Sequence, residues 1–369
     1  MRVLMVAQSI YGDGIGTVVS NMQASLTNVG VVVDVAVFQN YSIDNTAVKE
    51  VLDNGGNIFH IPGLKQAGFF GFMKKIKQLC QENYYDVIHI HTGMFAWIAA
   101  KAAKSCNIKK RIGHAHGKMT NMPFVLEKAL MGPFRLMNQR YCTDLVGCTE
   151  ESNRFAFGKK GIVIPNYVRT ERILGVPQDT IKDTRLKLDG NNDKVLFCFM
   201  GNVDVNKNVI FLPEVLKELR ERNINAELIV IGEGIMLDKT KALARTMNVD
   251  KNIVFLGRRN DCNVLIQAMD YYISASFSEG MSMSMIEAQM SGKPCFVSNT
   301  ISKDSDLGIG LFHYVEKYDA KIWADTIEKV VKNQKCAISR EMVLQKIDEA
   351  SLSEEKIVKK LLSIYREYH

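Results

Sequence analysis

The stretch YYISASFSEGMSMSMIEAQMSGKPCFVSN (271–299) holds a complete structural unit. YYISAS (271–276) reads as one strand and PCFVSN (294–299) as another. Between them a helix opens at Ser282 or Ser284 and stops at Gly-Lys-Pro. Strand, crossover helix and strand make a βαβ unit, whose strands lie parallel. Strands of a parallel sheet are covered by helices on both faces, so they read as continuous apolar runs.

The same arithmetic extends in both directions. Strands are expected at 2–8, 31–38, 57–62, 86–91, 110–116, 144–149 and 161–166, with amphipathic segments between them. The pattern restarts after the polar stretch DTRLKLDGNNDK (183–194), with strands at 194–201, 226–234, 252–257, 271–276, 294–299 and 310–315. Gly190-Asn191-Asn192-Asp193 is the turn-rich boundary. The expected class is α/β, as two Rossmann-like doubly wound domains over 1–185 and 186–350, with a closing helical segment at 351–369. Ligands of such sheets bind outside the carboxyl ends of the strands, and two facing units would enclose a cleft.

Composition narrows the class. The chain has 369 residues, of which 47% are hydrophobic and 24% charged, as in a folded two-domain protein. No apolar run reaches the ~18–20 residues of a membrane span. MRVLMVAQS turns polar too early for a signal peptide, so a cytoplasmic protein is expected. Eight cysteines without a C-x-x-C pair argue against a disulfide framework or a zinc site. The net charge of +7 (47 − 40) suits an anionic ligand or an anionic membrane surface. No helix carries the basic stripe with interleaved aromatics that nucleic acid would need.

The strand ends carry the candidate chemistry. Gly12, Gly14 and Gly16 follow the first strand and lead into a helix, where backbone N–H groups can approach a phosphate. The loop fails as a dinucleotide fingerprint because Thr17 stands where the third glycine belongs; Gly232-Glu233-Gly234 fails likewise at Leu237. Four histidines cluster in DVIHIH and GHAH. At least one of His91 and His116, each last on its strand, is expected to line the cleft, and His89 and His114 to pack. No carboxylate or cysteine joins them at zinc spacing. Lys207 lies in the polar loop GNVDVNKN (201–208), where it could neutralise phosphate; a solvated surface lysine is the plainer reading. Glu279 and Glu287 stand with seven residues between them. Ser284 and Glu287 match a capping box, but Glu279 precedes the helix in a loop with no structural need for a carboxylate. Carboxylates accept hydrogen bonds from hydroxyls, and free N–H groups at Gly280, Met281 and Ser282 would donate to phosphate. A nucleotide sugar has that layout.

Taken in order, these segments resemble the retaining glycosyltransferases of family 4, which have the GT-B fold. The carriers are the Gly-rich loop, DVIHIH, RIGHAHG, VIPNYV, FMGNVDVNKNV, VIGEG, FLGRRNDCNVLIQAMD and, most specifically, FSEGMSMSMIEAQMSGKPC. The resemblance spans essentially the whole chain. It implies that Glu279 contacts hydroxyls of the transferred sugar and Glu287 the ribose. It implies that main-chain N–H groups around Gly280–Ser282 and Gly14–Ile15 hold the diphosphate, that Lys207 stabilises its departure, and that His116 lies near the reacting sugar. Arg258 falls where the family holds the base, and the last helix would return to the first domain. The family writes Gly-Arg where this chain has Gly201-Asn202, so one diphosphate cation is missing; Arg258 or Arg259 could replace it.

The expected activity is therefore transfer of a sugar with retention from a nucleoside diphosphate sugar, UDP foremost. The nucleotide sugar is a co-substrate, and no cofactor or metal is implied: Asp304-Ser305-Asp306 reads as a surface turn. The resemblance to exopolysaccharide and capsule transferases implies a lipid-linked glycan acceptor. Segments 64–78 and 122–140 mix Phe, Leu and Met with Lys and Arg, which suits either an ordinary helix with one buried face or a helix on an anionic inner membrane face. Two rivals remain: a non-catalytic glycosyltransferase-like partner subunit, favoured by Asn202, and a nicotinamide oxidoreductase, disfavoured by the failed fingerprints.

Overall fold

The computed structural model describes residues 1–11, 14–43, 45–117, 124–189, 193–333 and 338–367; for 124–128 it describes the backbone alone. The chain divides into two compact units, Met1–Tyr167 with Ser351–His369, and Val168–Ala350.

The first unit is built on strands β1 (Arg2–Ala7), β2 (Val32–Val37), β3 (Ile58–His60), β4 (Val87–Ile90), β5 (Lys110–Ala115), β6 (Asp144–Gly147) and β7 (Ile162–Val163). They form one sheet in the order β3-β2-β1-β4-β5-β6-β7, parallel throughout. The helix Glu354–Arg366 buries Ile357, Leu361, Ile364 and Tyr365 and belongs to this unit, although the whole second unit, Val168–Ala350, precedes it in the sequence. Lys110, itself paired with Asp144 at 2.9 Å, donates to the carbonyl of Glu367 at 2.7 Å.

The second unit repeats the plan with β8 (Val195–Met200), β9 (Ala226–Ile231), β10 (Ile253–Gly257), β11 (Tyr271–Ser274), β12 (Cys295–Ser298) and β13 (Phe312–Val315). Their order is β10-β9-β8-β11-β12-β13, again parallel. Successive residues of a strand point to opposite faces, and both faces here are apolar. Phe197, Phe199, Val230 and Phe296 enter one core with Trp323, while Leu196, Cys198, Ile229 and Val297 enter another with Met285.

Each expected strand has its counterpart, although β7 keeps only two residues of its expected run. The boundary differs. It lies at Tyr167/Val168 instead of 185/186, because the helices Thr170–Leu174 and Gln178–Asp189 are bonded to the second sheet. Arg185 holds Asp270 at 2.8 Å, and Gln267 donates to the carbonyl of Ile173 at 2.8 Å. The expected turn at Gly190-Asn191-Asn192 lies outside the described residues.

Candidate functional site

In both sheets the order of the strands reverses beside the first strand, between β1 and β4 and between β8 and β11. Such switch points open crevices at the carboxyl ends of the strands. In the second unit the loops after β8 and β11 therefore meet.

Backbone fit shapes the loop after β8. Val203 donates to the carbonyl of Glu233 at 2.9 Å, and Met236 to that of Val203 at 3.0 Å. A Cβ on Gly232 would stand 1.9 Å from the carbonyl oxygen of Gly201, and one on Gly234 2.3 Å from that of Val203. Gly232-Glu233-Gly234, in the loop after β9, thus serves a close approach of its backbone to the loop after β8. Asp204 accepts from the N–H of Lys207 at 2.9 Å, and Asn206 donates to the carbonyl of Ser278 at 2.8 Å. These bonds bring the Lys207 ammonium directly onto Oε1 of Glu279. The two side chains are only 20% and 12% exposed, which strengthens their attraction over that of a surface pair. Ser276 donates to the same carboxylate at 3.0 Å.

The helix after Glu279 runs Met283–Met290 with Ser282 as its N-cap. The capping box that Ser284 and Glu287 match in sequence is not formed. Ser284 lies inside the first turn, where its hydroxyl bonds Tyr272 at 2.8 Å and Ser282 at 3.2 Å. The Ser282 N–H is not available to a ligand either, because it donates to Oγ of Ser305 at 2.7 Å. Ser305 itself is buried: the middle residue of Asp304-Ser305-Asp306 buttresses this helix, while Asp304 is exposed as a surface turn requires. Gly280 and Met281 stand in the loop that joins Glu279 to the helix.

Glu287 is released from any capping duty. Its half-buried carboxylate has no hydrogen-bond partner among the described residues. Burial pushes its pKa up to about 7, against the opposing pull of Arg172. The two proposed substitutes for the missing arginine are each engaged: Arg258 lies 3.5 Å from Glu233, and Arg259 grips Asp261 through two nitrogens at 2.8 and 2.7 Å. Asn202 is exposed.

In the first unit, Gly14 and Ile15 open the helix Gly14–Thr27; Gly12 and Asp13 lie outside the described residues. A Cβ on Gly16 would meet the backbone nitrogen of Tyr11 at 2.7 Å, so this glycine is required by the turn itself. The four histidines gather on one face because β4 and β5 run parallel with His89 beside Ile112, which sets His91 beside His114. His89 Nδ1 lies 2.7 Å from the Tyr365 hydroxyl, and its Nε2 lies 3.0 Å from Nδ1 of His114. His91 Nδ1 lies 2.9 Å from Nε2 of His116, whose Nδ1 lies 3.0 Å from Oδ1 of Asn166. His91 is buried with His89 and His114, and of the four only His116 is half-buried, which leaves His116 as the member of the pair His91 and His116 that is not fully enclosed. Burial pushes His89 down to about 3 and His91 and His114 well below the usual imidazole range, so all three stay neutral near pH 7.

Small polar residues carry much of this construction, and sequence reading missed them. Ser276, Asn206 and Ser305 make contacts 3, 72 and 23 residues away in the chain, and the longer two leave no local pattern.

The model of Glycosyltransferase Family 4 matches residues 12–172, and that of Glycosyl transferases group 1 matches 180–346. EpsF of Bacillus subtilis (strain 168) is 26% identical over 375 residues, spanning 99% of this chain and 96% of its own. The UDP-Gal:alpha-D-GlcNAc-diphosphoundecaprenol alpha-1,3-galactosyltransferase of Escherichia coli is 25% identical over 271 residues, 68% of each chain. Among solved structures, Anabaena Alr3699/HepE in complex with UDP-glucose gives a TM-score of 0.77 at 16% identity, over 98% of this chain and 99% of its own. That likeness shows the fold, GT-B.

Proposed function

Because this chain belongs to the family 4 glycosyltransferases, with a family 4 domain followed by a group 1 domain, we propose that it transfers a sugar from a UDP-sugar to a lipid-linked saccharide. The transfer proceeds with retention and without a metal ion, in the building of a cell-surface polysaccharide. The observation that carries this reading is the meeting of Lys207 and Glu279 at the switch point of the second sheet. The charge to be stabilised develops on the departing diphosphate, and a preorganised ammonium is suited to it. Glu279 then accepts hydrogen bonds from hydroxyls of the sugar and Glu287 from those of the ribose, with main-chain N–H groups near Gly280 directed at phosphate. Support for the donor comes from the E. coli relative, named for UDP-Gal, and from the HepE complex with UDP-glucose. The diphosphoundecaprenol in the relative's name supports the acceptor.

A peripheral membrane contact would fit that acceptor. The helix Leu64–Glu82 breaks at Gly68 (φ 64°) and buries Phe72, Ile76 and Leu79, while Phe70 stays 87% exposed beside exposed Lys65, Lys74 and Lys75. Of the second basic segment, Met122 and Pro123 lie outside the described residues. No described helix is long and apolar enough to cross a membrane. Flotation with anionic but not neutral liposomes is expected; equal failure to float with both removes this contact.

The test of the activity is incubation of the full chain with a panel of UDP-sugars and a polyprenyl-diphosphate saccharide, with the product linkage read by NMR. One sugar transferred with its anomeric configuration kept is the expected result; an inverted linkage removes the retaining mechanism. A second reading, a non-catalytic partner subunit, draws on Asn202 and on the engagement of Arg258 and Arg259. Binding of UDP without turnover of any donor would favour it.

A further inference from the structure

Three histidines of the first unit, His89, His91 and His114, have no part in the proposed donor chemistry, and they carry an unresolved demand. Nε2 of His91 and Nε2 of His114 are both buried without a hydrogen-bond partner among the described residues. Buried polar atoms are paired as a rule, and two orphans in one cluster call for a missing ligand. We propose that His89, His91 and His114 hold one transition-metal ion of the zinc type, as a structural site of the N-terminal unit. The three histidines each bring a ring nitrogen within 4.8 Å of the other two, and all are fully buried.

The outer nitrogens support this assignment. His116 Nδ1 faces the amide oxygen of Asn166, so it carries the proton and leaves Nε2 to accept from His91 Nδ1–H. His91 Nε2 is then a bare lone pair, the form that binds a metal. His89 Nδ1 is held by the Tyr365 hydroxyl, which leaves its Nε2 directed inward at His114. Oxygen or nitrogen partners on the non-ligating ring nitrogens orient metal-bound imidazoles in just this manner. Ligation through Nε2 of His91, His114 and His89 satisfies both orphans and gives up the His89–His114 hydrogen bond, leaving Nδ1 of His114 as the ring nitrogen that loses its partner. An imidazole donor set without carboxylates suits zinc, nickel or copper and does not suit magnesium or calcium. With its ligands buried, the ion acts on stability: it ties β4 to β5 and, through Tyr365, to the helix Glu354–Arg366.

The proposal is independent of sugar transfer, and its test does not use activity. The full chain is stripped with a chelator, reloaded with Zn²⁺, Co²⁺ or Mg²⁺, desalted, and assayed for bound metal, visible absorption and melting temperature. About one retained Zn²⁺ per chain is expected, with a rise in Tm absent for Mg²⁺ and tetrahedral Co²⁺ bands, all lost in His91→Gln. No retained ion in the wild-type chain overturns the site, as does equal retention by wild type and His91→Gln, which would place the ion on other histidines. Should His91→Gln fail to fold, wild-type metal content decides alone.

Discussion

The ammonium of Lys207 and the carboxylate of Glu279 lie against one another at the ends of β8 and β11, 72 residues apart in sequence. Each neutralises the other, and under the proposed function a UDP-sugar would have to separate them. The pair is largely screened from water, and removing one partner strands a charge.

A double-mutant cycle measures that coupling. Lys207→Met and Glu279→Gln are each expected to destabilise the chain by about 1–3 kcal/mol, and the double variant by clearly less than their sum. Additive losses in denaturant titrations would show that the two groups do not act as a pair.

Asn202 stands where the family resemblance implies an arginine that would bind the diphosphate. Asn202→Arg adds an exposed guanidinium in the loop that presents Lys207, and affinity for UDP is expected to rise roughly tenfold. Unchanged affinity by calorimetry would show that the diphosphate does not reach this loop.

Gly232 and Gly292 both have positive φ, 142° and 70°, yet only Gly232 has a backbone oxygen in the way of a Cβ. Gly292→Ala is expected to cost about 1–2 kcal/mol from the backbone conformation alone. Gly232→Ala must also part the two loops and is expected to cost about 3 kcal/mol or more. Equal losses would mean that the close approach of the loops after β8 and β9 does not constrain the fold.

Glu287 gives a pH signature. Its carboxyl is pushed from 4.5 to about 7 by burial, so the folded chain binds this proton more tightly than the unfolded one. Its contribution is greatest below pH ~4.5, declines as pH rises towards 7 and is level above that, by at most about 3 kcal/mol. Glu287→Gln should flatten this part of the stability profile between pH 5 and 8. An unchanged profile would locate the titration elsewhere.

The fold was legible because its strands are buried on both faces, as the unbroken run VLFCFM of β8 shows. The domain boundary was not: the turn composition of 190–193 is conspicuous in sequence, whereas the bonds of Arg185 to Asp270 and of Gln267 to Ile173 depend on tertiary position. Lys207 and Glu279 were singled out from the residues that follow their strands, and the structure brings them together. Ser284 and Glu287 misled, since the S-x-x-E pattern cannot tell an N-cap from the second residue of a helix. Which of His91 and His116 is enclosed was not legible either, because the end of a strand is a place in the chain and burial there is set by neighbours, for His91 the rings of His114 and His116.

Calorimetric titration of UDP and a UDP-sugar into the full chain and its Lys207→Ala and Glu279→Gln variants tests the donor assignment most directly. The account predicts binding by the wild type, at least tenfold weaker UDP binding in Lys207→Ala, and loss in Glu279→Gln of whatever affinity the sugar adds. Wild-type affinities in both variants would contradict it.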